Sequence, residues 1–105
     1  MPSCEEVAHP LRLVEEVAEL GAIASTERFA GADPETVQGV LAEAGRFIAD
    51  VVAPTNRDGD TIGSKWQPDG TVKVPASFEN AYAKWVGSGF GAMSFDPDFG
   101  GGGLP

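Results

Sequence analysis

The sequence has one cysteine, Cys4, and one histidine, His9. A lone cysteine forms no internal disulfide, and one Cys with one His cannot supply a Cys/His zinc site. Cations are scarce too: 7 Lys and Arg stand against 16 Asp and Glu, a formal charge of −9. Nucleic acids and anionic membranes select basic patches, so neither is a default partner. Long apolar runs are missing. None approaches the ~20 residues of a membrane span, and the opening MPSCEEVAHPLR is acidic, without the apolar centre of a signal peptide. The expectation is a soluble, cytoplasmic protein. Hydrophobic residues nevertheless make up 42% of the 105, too many for a disordered acidic tail and enough for one small domain.

The apolar pattern predicts a mostly α protein with about three helices, roughly 10–24, 33–53 and 76–87. In the first, Arg12, Glu15, Glu16 and Glu19 share one arc and apolar residues occupy the rest, so the helix should pack on more than one side. In the second, Asp33 suits the N-cap, Pro34 the first turn, and Val37, Val40, Leu41, Ala44, Phe47, Ile48, Val51 and Val52 form one stripe. Glu43–Arg46 and Arg46–Asp50 are spaced to pair on its outer face. Pro54 should end it, because the residue before a proline avoids helical geometry. Asn56–Asp60 then reads as a polar turn. Pro68-Asp69-Gly70 is a turn signal between two short β-prone runs, giving a small hairpin near 65–74. In the third helix Phe78, Ala81, Tyr82, Trp85 and Val86 fall on one face, with Gly87 and Gly89 available to close it. The end of the chain is glycine-rich and aromatic, too broken for a helix and too apolar for a linker.

No catalytic set emerges from these residues. Asn56-x-Asp58-x-Asp60 opens like a calcium loop, but Thr61 and Gln67 stand where that loop needs Gly and Glu. Gly100–Gly103 lacks the following helix of a phosphate loop and reads better as a tight backbone crossing. His9 has no nucleophile or carboxylate in a recognisable arrangement, and Cys4 no electropositive setting. Trp66 is free to stack on a ligand, while helical spacing assigns Phe78, Tyr82 and Trp85 to packing.

Three stretches resemble a known family. VLAEAGRFIADVVAPTNRDGD (40–60), TVKVPASFENAYAKWVGSGFGAMSFDPDFGGGGLP (71–105) and the opening MPS…HPLRLVEEV are similar to the N-terminal end of acyl-CoA dehydrogenases. The likeness is strongest to a bacterial, long-chain-like subgroup that carries an extra N-terminal segment. It implies an extension with the first helix over 1–32, then an incomplete N-terminal helical domain over 33–105. In the family that domain is followed by a β domain and a C-terminal helical bundle. The family binds FAD. A glutamate removes the α-proton of an acyl-CoA thioester, hydride leaves the β-carbon for the flavin, and electrons pass to an electron-transfer flavoprotein.

The catalytic glutamate and the flavin domain lie, in the family pattern, beyond Pro105. The resemblance therefore assigns no catalytic, cofactor-binding or metal residue here, and FAD is expected only in the full-length enzyme. It places Phe99, Gly100, Gly101, Gly102, Gly103 and Leu104 beside the acyl pocket. Phe99 stands where the family often has Tyr. Gly102 replaces a side chain, from which a looser loop is expected. The expected partners are the remainder of such an enzyme or a second copy of the chain. The other functional class is a stand-alone helical interaction module.

Overall fold

The computed structural model describes residues 10–105. It is mostly helical, with one hairpin. The helices are α1 (Leu20–Ala24), α2 (Pro34–Phe47), α3 (Asn56–Thr61) and α4 (Ala76–Ser88). The strands are β1 (Lys65–Trp66) and β2 (Val72–Lys73), antiparallel, with Lys65 opposite Lys73 and Trp66 opposite Val72.

The first predicted helix is broken in two. A wide π turn covers Leu13–Val17, and α1 restarts after Glu19, which adopts left-handed geometry at φ 52 and ψ 50. A non-glycine residue there carries about 1 kcal/mol of strain. The reversal delivers Leu20 to the interior, where it is 3% exposed, and leaves Leu13 and Val17 uncovered.

α2 begins as its sequence dictates. The Asp33 carboxylate accepts from the Thr36 N–H at 2.9 Å and from the Thr36 hydroxyl at 2.9 Å. Arg46 pairs with Glu43. It makes no pair with Asp50, because the winding changes at Ile48. From Ile48 to Val52 the helix widens to a π turn, then tightens to a 3-10 turn over Ala53–Thr55. Pro54 explains both. It offers no N–H and its ring crowds the preceding turn. The wider turn, closed by Ala53 N–H to the Ile48 carbonyl, steps around that clash. Pro54 thus deforms the helical path without ending it. Asn56–Asp60, expected as a polar turn, is wound into α3. Gly63, at φ +67, ends α3 and bonds back to the Asp58 carbonyl at 3.2 Å. Gly59 lies inside α3 against α4, where an added Cβ would sit 2.9 Å from the Phe78 ring.

The hairpin turn is fixed locally. Asp69 accepts from the Thr71 hydroxyl (2.7 Å) and N–H (3.0 Å), and Gly70 takes φ +87. The hydrogen bonds from Thr36 to Asp33, through its N–H first, and from Thr71 to Asp69, through its hydroxyl first, hold both carboxyls below the usual Asp value. A depressed native pKa contributes stability above the unfolded value near ~3.9, and that contribution disappears as pH falls through the native value. Thermal melts should therefore show helix loss on acidification below about pH 4. Asp33→Asn keeps the capping acceptor. Its melting temperature should change less between pH 7 and pH 3 than that of the native chain; an equal change would refute this role for Asp33.

Very little of the molecule is enclosed. Leu20, Ala32 and Pro75 are the buried residues among those described. The accessible surface is 7613 Å², against about 5,600 Å² for a compact chain of this mass. The radius of gyration is 17.1 Å, against about 13 Å for a compact domain. A half-buried aromatic cluster holds the centre. Phe47, Trp85 and Phe90 sit with ring centroids 5.7–5.8 Å apart, joining α2, α4 and the turn after α4.

Candidate functional site

The end of the chain is the most tightly specified part. Gly89, at φ +79, ends α4 and turns the backbone into a 3-10 turn at Phe90–Ala92. A second 3-10 turn, Pro97–Phe99, is capped by the Asp96 carboxylate, which accepts from the Asp98 N–H at 2.9 Å. Gly100 then reverses the chain at φ +84. Residues 101–104 run back over 92–96. The N–H groups of Gly101, Gly102, Gly103 and Leu104 donate to the carbonyls of Asp96, Ala92, Phe95 and Met93, at 2.9–3.0 Å.

This crossing requires the glycines. A Cβ on Gly101 would fall on the Phe95 carbonyl, one on Gly102 would lie 2.7 Å from the Met93 oxygen, and one on Gly103 would lie 2.9 Å from Pro97 Cγ. The expected looser loop is therefore corrected: Gly102 permits backbone contact that a side chain would block, and the loop is pinned. Phe99 points away from it, 89% exposed.

The returning segment separates two hollows. One, of about 250 Å³, is apolar: Leu104 faces Leu20, Val37, Leu41, Phe90 and Met93. The other, of about 360 Å³, has mixed walls, with Gly103 and Leu104 facing Arg28, Ser94 and Asp96. The Arg28 guanidinium lies 5.2 Å from the centre of the Phe29 ring. Of the loop residues assigned by resemblance, Gly103 and Leu104 line these hollows, while Phe99, Gly100, Gly101 and Gly102 do not.

A larger hollow among the described residues lies elsewhere and was not foreseen. It is a groove of about 590 Å³ between the 52–56 turn and α4, with Val52, Thr55, Phe78, Tyr82 and Trp85 among its walls and Glu79 as its charged lining residue. The α4 stripe read as core is split. Phe78 and Trp85 pack inward, while Tyr82 is 69% and Val86 62% exposed. Both exposed residues lie at one edge of the stripe, the only sequence signal available.

None of these hollows brings together an acid and a base or a nucleophile and its activator. Asn56 and Asp60 share one face of α3 and Asp58 lies on the opposite one, and no cluster able to hold a metal occurs among the described residues. Nor does the α4 groove fit FAD, whose pyrophosphate needs cations or convergent donors, since its lining is apolar with Glu79 as its charged residue. Cys4 and His9 lie outside the described residues. No helix among those residues is long and apolar enough to cross a membrane.

No protein-family profile matches the chain, and no solved structure matches it. The sequence is similar to a 3-methylmercaptopropionyl-CoA dehydrogenase from Ruegeria pomeroyi, at 27% identity over 92 residues. The aligned region is 88% of this chain and 16% of that protein, so the chain spans about a sixth of its relative's length.

Proposed function

We propose that this chain is the N-terminal helical portion of an FAD-dependent acyl-CoA dehydrogenase of the 3-methylmercaptopropionyl-CoA type. The α,β-dehydrogenation of an acyl-CoA thioester belongs to the complete enzyme, as do FAD, the catalytic glutamate and the electron-transfer flavoprotein. The observation that carries this reading is the similarity along 88% of the chain. The sparse interior supports it as well, since uncovered Leu13, Val17, Tyr82 and Val86 suit a piece whose packing partners lie elsewhere. In this reading residues 1–32 are an extension, 33–105 belong to the helical domain, and the pinned loop at 99–104 abuts the acyl pocket. The location is cytoplasmic.

The test is the reading frame after codon 105. Continuation into flavin-binding strands, in frame or after a frameshift, supports the proposal; unrelated sequence with no such partner nearby overturns it. Incubated alone with FAD and acyl-CoA, the 105 residues should reduce no flavin.

A second reading, a non-catalytic helical interaction module, is favoured by the same uncovered faces. It requires self-association or a partner. A monodisperse monomer with a cooperative melt, seen by sedimentation and circular dichroism, would eliminate it.

A further inference from the structure

From Leu13 to Ala24 a single residue leaves right-handed helical geometry. Leu13–Val17 winds as a π turn, Ala18 has φ −83 and ψ −6, and Leu20–Ala24 is α1. Between them Glu19 stands at φ 52, the one non-glycine residue with positive φ among those described. It is the N-cap of α1, yet its side chain makes no capping hydrogen bond. The break therefore carries left-handed strain and leaves the first N–H groups of α1 without intrahelical partners. What opposes these costs is the burial of Leu20. In an unbroken helix Leu13, Val17, Leu20 and Ala24 would stand at i, i+4, i+7 and i+11, one apolar stripe. The break divides that stripe: Leu20 goes inside, while Leu13 and Val17 stay exposed. Inside, Leu20 walls the apolar hollow of about 250 Å³ together with Val37, Leu41, Phe90 and Leu104.

We propose that Glu19 is a single-residue hinge and Leu20 a retractable plug. Residues 13–24 alternate between the broken form, with Leu20 inside, and a continuous helix that withdraws Leu20 and opens the hollow it walls. Returning Glu19 to right-handed geometry joins two segments that are helical already. The exchange thus sets strain and lost helical bonds on one side against one buried leucine on the other, opposing terms of similar size, which is what keeps a second state populated. The Arg12–Glu16 pair, at 3.4 Å, lies ahead of the hinge and fits both forms. This device is independent of the acyl-CoA dehydrogenase reading and stands or falls separately from it. The competing explanation is a rigid break, locked permanently by Leu20.

Two variants of the 105-residue chain push the hinge in opposite directions. Glu19→Gly relieves the left-handed strain and weakens the continuous helix, so it should favour the broken form by about tenfold. Leu20→Ala removes the plug and leaves a strong helix former, so it should favour the continuous form. In the native chain, NMR relaxation dispersion should show microsecond-to-millisecond exchange at the amides of residues 13–24, and a paramagnetic cosolute should reach the Leu20 methyls. Glu19→Gly should suppress both. Leu20→Ala should move the Cα shifts of residues 18–20 to helical values and increase the helical circular dichroism, although a core side chain has been cut back. A rigid break gives the reverse: no exchange in the native chain, and loss of helix in Leu20→Ala with residue 19 still left-handed. Either result would overturn the hinge. If Leu20→Ala fails to fold, the native chain and Glu19→Gly decide the matter: equal exchange and equal Leu20 accessibility in the two would overturn it as well.

Discussion

Trp85→Ala should cost about 2–4 kcal/mol and abolish the cooperative melt. The indole is the hub of the aromatic cluster, 5.8 Å from Phe47 and 5.7 Å from Phe90. It also lies over the backbone beyond α4, where a Cβ on Gly91 would be 3.2 Å from its Nε1. Removing it detaches α4 from α2 and frees the turn at Phe90 in one step. A small domain has only about 5–15 kcal/mol of total stability, and the three buried residues among those described offer little compensation. Trp85→Phe keeps an aromatic ring and should cost clearly less. Urea denaturation followed by circular dichroism measures both. A Trp85→Ala chain that melts like the native one would show that the cluster holds nothing together.

Gly101→Ala should open the terminal crossing, with a local cost of about 3 kcal/mol. The new methyl has nowhere to go, because its position coincides with the Phe95 carbonyl. The segment must lift away and give up the four backbone bonds that tie 101–104 to 92–96. The effect is local, so hydrogen exchange reads it better than a global melt. Protection should vanish at Gly101, Gly102, Gly103 and Leu104 and persist through α2 and α4. Gly100→Ala is the control. Gly100 has positive φ and open space around it, so the cost there is the left-handed strain of about 1–2 kcal/mol. Equal protection in the two variants would disprove the close crossing.

Where one stretch of chain contains its own instructions, the sequence was readable. Asp33-Pro34 at the start of α2, Asp69-Gly70 in the hairpin and Gly89 after α4 each act through hydrogen bonds or dihedrals within a few residues. The stripe from Val37 to Phe47 was readable for the same reason. Pro54 was misread because its rule concerns one residue. The fold answered with a π turn over Ile48–Val52, ahead of the proline, which depends on the whole segment. Glu19 gave no signal at all. Its left-handed backbone is held by the burial of Leu20, a gain that local preference does not contain.

The candidate site divides along the same line. Glycines at 100–103 marked a tight crossing in the sequence, but their partners at 92–96 became visible only once the backbone had folded back. The α4 groove was hidden because helical periodicity specifies which residues share a face and not how much of that face a neighbour covers. The facing of Lys65 and Lys73 needed the strand register, which the turn sets and the residue types alone do not.

By itself, the sequence determined an acidic, mostly helical chain with one small hairpin and caps at stated residues. These follow from charge, periodicity and short-range hydrogen bonding, all of which act within a few residues. Only the tertiary structure decided that the apolar stripes are half covered, that three aromatic rings form the joint, and that the terminal glycines are pinned. Each of these depends on which surfaces meet, and that is settled by packing between segments far apart in the chain.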